Sequence, residues 1–352
     1  MSSVADVLLT VDYHDKNCVV RQRDGTAAKG QVSTVPTEWP ELRSLMRSAA
    51  RQALLQGGRA IWVQESTTGW ARMQRLATEC GVEFVLANVL QMPLPPKARR
   101  RKTDKIDTAR LEREYLHGEL PRAHQPSAWW RQVRRVVALR ESLVRRRTAL
   151  TNWIDRYLAH ETWEPRCAFG SKRREQHLRR LSVPDLDRRV LDWKLDELQS
   201  LGGQLVQIES LLTELSQESA DARRLDAIRG LGPVGALAIM ARIGPIERFE
   251  SAEQLISFAG LAPGVRQSDS TRRDGKLGGG GTDKCLRHYL IEASVWARTI
   301  PRYRDAYERT VRRRGKKIGR LVVARLLLRS IHKMLREGIE FQPEVAAHIA
   351  VP

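Results

Sequence analysis

The first three segments of this chain leave few folds open to it. Val4 to Val11, Cys18 to Arg23 and Gln31 to Val35 are short runs rich in β-branched residues. The breaks between them, His14 to Lys16 and the turn-favouring dipeptide Asp24-Gly25, leave room only for reversals. An antiparallel meander is therefore expected to open the chain. Beyond it the period lengthens. Glu38 to Leu55 reads as a helix, Ala60 to Val63 as a short apolar strand, Trp70 to Cys80 as a helix and Val82 to Ala87 as a strand. After a proline-rich break at Met92 to Pro96, a helix is expected from about Thr103 to His117, because Ile106, Ala109, Leu111 and Leu116 favour one side. The order is βββαβαβα, a mixed α/β domain.

Two long helices are expected next, from Trp129 to Tyr157 and from Leu191 to Ser216. In the second, Leu201, Leu205, Ile208, Leu212 and Leu215 alternate steps of four and three. That spacing suits a coiled-coil seam and equally a helix packed on its own domain. A third region, Arg224 to about Glu340, holds glycine-rich turns and helices and ends in an amphipathic basic helix at Ile318 to Leu335. The expected organisation is an α/β domain over 1–125, a long-helix region over 126–222 and a mainly helical domain over 223–352.

Charge points to the partner. The 352 residues carry 61 Lys and Arg against 41 Asp and Glu, a formal net charge of +20. An excess of this size repels itself unless a polyanion neutralises it, which favours nucleic acid over a membrane surface. No run approaches the roughly 20 apolar residues of a spanning helix, and the N-terminus lacks the layout of a signal peptide, so a cytoplasmic chain is expected. Cys18, Cys80, Cys167 and Cys285 form no C-x-x-C and the histidines no metal-ligand pair; reduced, structural thiols are expected and structural zinc is not.

Four carboxylates stand at telling places. Asp12 ends the first strand, Glu65 follows the strand Ala60 to Val63, and Asp104 and Asp107, three apart, share a helical face. Any one of them is ordinary at a strand end or helix start. Together, on this element order, they have the layout of ribonuclease-H-like nucleases. Converging carboxylates could hold magnesium, or manganese in its place, and phosphodiester cleavage can use two such ions about 3.5–4 Å apart. Arg99, Arg100, Arg101, Lys102 and Lys105 stand beside the last pair, where they could hold a nucleic-acid backbone or serve as a solvated helix start.

Further on, Gly230-Leu-Gly232-Pro joins two helices by a turn whose backbone N–H groups could meet a phosphate, as in helix-hairpin-helix modules, or simply cap two packed helices. Phe258 to Thr271 then leads into Arg272, Arg273, Lys276 and the run Gly278 to Gly281, read as an exposed basic loop. Ser268 and Ser270 lie in it. A serine hydroxyl becomes a nucleophile only with help from a base or metal, which the carboxylate domain could supply.

Val11-Asp12, Gln64-Glu65-Ser66-Thr67-Thr68-Gly69, Lys102-Thr103-Asp104-Lys105-Ile106-Asp107, the Gly230 hairpin and Phe258-Ala-Gly-Leu-Ala-Pro263 together resemble the DEDD transposases of the one-ten class of insertion sequences, also called bridge-RNA-guided recombinases. The resemblance covers nearly the whole chain. It implies a RuvC-like N-terminal domain with Asp12, Glu65, Asp104 and Asp107 as catalytic metal ligands, a coiled-coil connection and a C-terminal transposase domain with a catalytic serine. That serine falls on Ser268, although the family's Ser-Gly is here Ser268-Asp269-Ser270, which keeps Ser270 as a second candidate. A second departure is Gly278 to Gly281, where relatives carry a more basic stretch. The resemblance further implies a covalent phosphoserine link to DNA, a homo-oligomer of dimer to tetramer size with active sites assembled from two subunits, and a noncoding guide RNA that pairs with target and donor DNA. The protein itself would then read RNA shape and DNA backbone, with Arg312, Arg313, Arg314, Lys316, Lys317 and Arg320 as contacts. Two other readings stay open: a Holliday-junction resolvase that uses water, and a non-catalytic scaffold for RNA or DNA.

Overall fold

The computed structural model describes residues 6–25, 27–92, 104–161, 172–262, 264–268, 271–275 and 282–343, with backbone alone for 172–173, 264–268 and 271–275. Contacts divide the chain into two units, Met1–Gln125 and Pro126–Pro352.

The first unit contains β1 (Val7–Tyr13), β2 (Asn17–Asp24), β3 (Gln31–Pro36), α1 (Trp39–Leu55), β4 (Ala60–Glu65), α2 (Trp70–Glu79), β5 (Glu83–Ala87) and α3 (Asp104–Leu116). The sheet runs β3-β2-β1-β4-β5. The opening meander is antiparallel, whereas β4 and β5 run parallel to β1. Every residue of β1 is buried because helices cover both faces, and such a strand reads as a nearly continuous apolar run. Alternation sorts its side chains. Val7, Leu9, Val11 and Tyr13 join Trp62 and the buried residues of α1 and α2, while Leu8 joins Ile61, Val63, Val85 and Leu111 of α3 on the other face. The first strand starts and ends later than the sequence reading placed it, and β4 runs on to Glu65. Both strands therefore carry their carboxylates inside the ladder, at its end.

Helix α3 is held on that second face by more than Leu111. Thr10 Oγ1 donates to the Thr108 carbonyl at 3.0 Å, and Arg21 donates to the Lys105 carbonyl at 3.2 Å. Arg21 and Arg23 each come within 4.0 Å of the buried Glu112 carboxylate. These ties fix where the first turn of α3 lies along β1.

The second unit contains α4 (Ala128–Glu161), α5 (Lys172–Arg180), α6 (Asp185–Gln217), α7 (Ala220–Asp226), α8 (Gly232–Ile243), α9 (Ala252–Phe258), β6 (Gly264–Ser268), β7 (Thr271–Gly275), α10 (Lys284–Ala297) and α11 (Pro301–Glu337). α4 and α6 run antiparallel, as the pairs Arg140–Glu209 at 2.6 Å and Arg146–Glu197 at 3.8 Å require. The leucine seam of α6 is used within the chain: Leu201 and Leu205 pack with Leu143, Leu150, Ile154 and Leu158 of α4 and Leu178 of α5. Leu212 joins Val133, Val137 and the buried residues of α8, α10 and α11 in a second, larger core. The two long helices thus belong to both cores.

Two stretches differ from the sequence reading. The basic segment read as a loop contains an antiparallel hairpin, β6–β7, in which Ser268 pairs with Thr271; its polar composition hides the strand period. The C-terminal amphipathic helix is the second half of α11, which begins at Pro301 and breaks at Gly315 (φ 82, ψ 169). The dense charge between Arg302 and Lys317 masks the earlier half, which fully buried Tyr303 anchors by donating to Ser330 Oγ at 2.7 Å. Among the described residues no helix is long and apolar enough to cross a membrane.

Candidate active site

Register and alternation put the acids together. Val11 pairs with Gln64 across the parallel β1–β4 ladder, so Asp12 and Glu65 are the next residues on neighbouring strands and turn to the same face. That face is the one Leu8, Ile61 and Val63 share with α3. On α3, Thr108 and Leu111 are buried against the sheet, and Asp104 and Asp107 stand one turn before them on the same stripe. The outcome is a cavity of about 550 Å³ lined by Asp12, Tyr13, His14, Asp15, Glu65, Thr67, Thr68, Asp104 and Asp107. All four carboxylates singled out in the sequence line it.

The Asp12 side chain is 13% exposed, while those of Asp104 and His14 are about half exposed. His14 Nε2 lies 3.5 Å from Asp12 Oδ2 and 3.6 Å from Asp104 Oδ2. One ligand atom from each of these three residues lies within 4.8 Å of the others. Several carboxylates facing one cavity repel each other, and a divalent cation offsets that repulsion. The donor set, oxygen-rich with one imidazole at its edge, fits a hard or borderline ion such as magnesium or manganese.

The loop after β4 is tied to the end of β1. Tyr13 meets the Arg72 guanidinium through both its hydroxyl and its ring. Gly69, at φ 87, lets the chain pass so close that a Cβ there would lie 2.7 Å from Tyr13 Cε1; no other residue fits without moving the ring. Ser66 N–H donates to the Ala87 carbonyl at 3.2 Å. These contacts keep Glu65, Thr67 and Thr68 at the cavity wall.

The other sequence candidates fall elsewhere. Lys105 is exposed on α3; Arg99, Arg100, Arg101 and Lys102 lie outside the described residues, as do Ser270, Lys276 and Gly278 to Gly281. Ser268 ends β6, and Arg272 and Arg273 lie in β7. Gly230 and Gly232 both have positive φ in the α7–α8 turn, and a Cβ on Gly230 would lie 2.9 Å from the Ala293 carbonyl oxygen. Helix packing alone therefore demands glycine at 230. Arg312, Arg313, Lys316 and Lys317 are exposed around the Gly315 break. Tyr13, His14, Asp15, Thr67 and Thr68 line the cavity and were not among the sequence candidates. For His14 a signal existed, since it stands two residues after Asp12, at the spacing that keeps side chains on one face of a strand.

The second unit has a cavity of about 680 Å³ lined in part by Arg140, Glu141, Arg242, Asp283, Cys285 and His288. Cys285 donates to Glu141 at 2.9 Å, and burial together with that carboxylate pushes its thiol up to about 12. Burial likewise pushes Tyr289 up to about 12 and, with Arg242 nearby, draws Arg134 down to about 10. Cys18, Cys80 and Cys285 are free thiols. Cys285 stays protonated at neutral pH, and burial raises Cys18 as well, which suits neither to nucleophilic work.

Residues 9–161 match a transposase family model of the IS110 DEDD type, and residues 222–308 match the model described as Transposase IS116/IS110/IS902 family. The DEDD type implies a divalent metal. The chain is similar to the transposase for insertion sequence element IS1111A of Coxiella burnetii, with 26% identity over 52% of this chain and 51% of that protein. It is similar also to the putative transposase y4rJ of Sinorhizobium fredii, with 28% identity over 71% of this chain and 70% of that protein. A third relative is a probable family 20 transposase of Pseudomonas aeruginosa, with 30% identity over 28% of this chain and 29% of that protein. The chain thus spans about half the length of the first of these relatives and less than a third of the last.

Proposed function

Because this chain belongs to the IS110 family of DEDD transposases, we propose that it cuts and rejoins the DNA of an insertion sequence in a magnesium-dependent reaction that passes through a covalent phosphoserine at Ser268. A noncoding RNA pairing with target and donor DNA directs it, and the working form is a homo-oligomer. The observation that carries this reading is the convergence of Asp12, Glu65, Asp104 and Asp107, from two strands and a helix, on one cavity. The sheet order β3-β2-β1-β4-β5 supports a ribonuclease-H-like domain around it.

The four carboxylates would hold the metal, which when bound supplies charge neutralisation and activation of an attacking oxygen. Ser268 Oγ attacks the phosphorus of a DNA phosphodiester, its proton passing to a base. One P–O bond forms, one bridging P–O bond breaks, and the departing strand leaves with a hydroxyl group. Attack by a strand hydroxyl on the phosphoserine reverses these changes and rejoins DNA. Lys105, the α7–α8 turn at Gly230 and Gly232, and the basic stretch of α11 hold nucleic-acid backbone, which neutralises the excess positive charge. The long-helix region ends near residue 222, and the transposase domain with the serine follows it.

The test is incubation of the full chain with element-end DNA, guide RNA and magnesium, followed by denaturing electrophoresis and mass spectrometry of any DNA-linked peptide. A phosphopeptide at Ser268 is expected, and Ser268→Ala should abolish the adduct while DNA binding persists. A link at Ser270 instead moves the nucleophile by two residues. DNA cut to a free 3′-hydroxyl and 5′-phosphate without peptide makes the protein a hydrolytic resolvase. Binding that is steeply salt-dependent, indifferent to magnesium and without cleavage makes it a scaffold.

A further inference from the structure

We propose that His14 is a nitrogen ligand of the metal held by Asp12 and Asp104, and that it turns the site's preference from magnesium towards manganese. This rests on the reading of the acidic cavity as a metal site and adds a donor that the four carboxylates do not include.

Placement is the first argument. His14 follows β1 by one residue and keeps the parity of Asp12, so its ring leans over the face that α3 covers. Its Nε2 sits between carboxylates of two different elements, 3.5 Å from Asp12 Oδ2 and 3.6 Å from Asp104 Oδ2. Two ligands sharing one ion through bonds of about 2.1 Å can stand at most about 4.2 Å apart. Both separations from His14 fall inside that limit, and one ligand atom from each of the three residues lies within 4.8 Å of the others, so side-chain adjustments of a few tenths of an ångström bring all three within reach of one ion.

The second argument is chemical. Magnesium takes oxygen ligands almost exclusively and gives up its water reluctantly. A neutral imidazole suits first-row transition ions, among which manganese is the one whose carboxylate-rich, octahedral habits overlap those of magnesium. A cavity built of carboxylates alone has little ground to distinguish the two ions. An imidazole at the same point favours manganese, because replacing it by water removes a good manganese donor and a poor magnesium one. The alternative role for His14 is a counter-ion that holds Asp12 and Asp104 together by charge and must be displaced when a metal binds. The two roles predict opposite effects on affinity.

The experiment titrates Mn²⁺ into the full-length protein, following the loss of the free-ion electron paramagnetic resonance signal. Bound Mn²⁺ is then searched for nitrogen couplings by electron spin echo modulation. Wild type, His14→Ala and Asp12→Asn are compared, each checked for unchanged circular dichroism. The expected result is a ¹⁴N modulation in wild type that His14→Ala removes, with Mn²⁺ affinity falling on the order of tenfold and Mg²⁺ competition falling less. No ¹⁴N modulation in wild type, or Mn²⁺ affinity that holds or rises in His14→Ala, overturns the proposal. Asp12→Asn separates the two levels: if it leaves Mn²⁺ affinity unchanged, the cavity itself is not a metal site. If it abolishes binding while His14→Ala changes nothing, only the role of His14 falls.

Discussion

In the sheet unit the acidic groups turn inward, towards one cavity formed by β1, β4 and α3, whereas in the helical unit the basic groups of α11 face outward and the partly buried Cys285 and the buried Tyr289 are kept neutral. The difference is physical. Like charges on an exposed helix are screened by water and salt within about 10 Å and cost little. Carboxylates converging on a partly buried cavity repel one another where screening is poor, an arrangement that a bound cation stabilises. An inward cluster of one sign therefore points to a small, highly charged ligand, and an outward field of the other sign to a large, diffusely charged one.

Asp12→Asn should break the inward side most severely. It leaves the fold in place and lowers metal-dependent strand cleavage on the order of 10²–10³-fold, measured as the rate on element-end DNA at saturating magnesium; cleavage at the wild-type rate would mean that the cavity is not where the chemistry occurs. A core substitution tests whether the helical unit rests on apolar packing rather than charge. Ile154, fully buried between α4 and α6, should cost about 2–5 kcal/mol when replaced by alanine, read from the urea midpoint. The outward side should show the smallest structural effect: Lys316→Ala with Lys317→Ala leaves stability within about 0.5 kcal/mol but flattens the dependence of log K on log salt by up to about two for DNA or RNA. An unchanged salt slope would remove that stretch of α11 from the nucleic-acid surface.

Much of the sheet unit was legible because its signals are local. Short apolar runs, tight reversals and the three-residue spacing of Asp104 and Asp107 each act within a few residues, and they yield the observed element order and four of the five acids that line the cavity, Asp15 being the exception. The leucine seam of α6 was equally legible, but its partner was not. Periodicity says that a stripe will be buried without saying against what, and only the antiparallel return of α4 and α6 supplies the answer. The β6–β7 hairpin escaped because paired backbone, rather than apolar alternation, defines it. The first half of α11 escaped because its charges conceal the few anchors, Tyr303 above all, that hold it to the core.

His14 marks the border between the two kinds of information. Its identity and its distance from Asp12 are in the sequence; its position between Asp12 and Asp104 is not, since Asp104 reaches it only after α3 has been fixed to the sheet by Thr10 and Leu111 and, on β2, by the Arg21–Glu112 contact. The sequence by itself determined the strands and helices of the sheet unit, the four candidate acids and the net charge, because each follows from near neighbours or from summation along the chain. The tertiary structure alone decided which acids share a cavity, which residue stands between them and which helix buries which seam. Those depend on register and docking between segments distant in sequence, and no local preference encodes them.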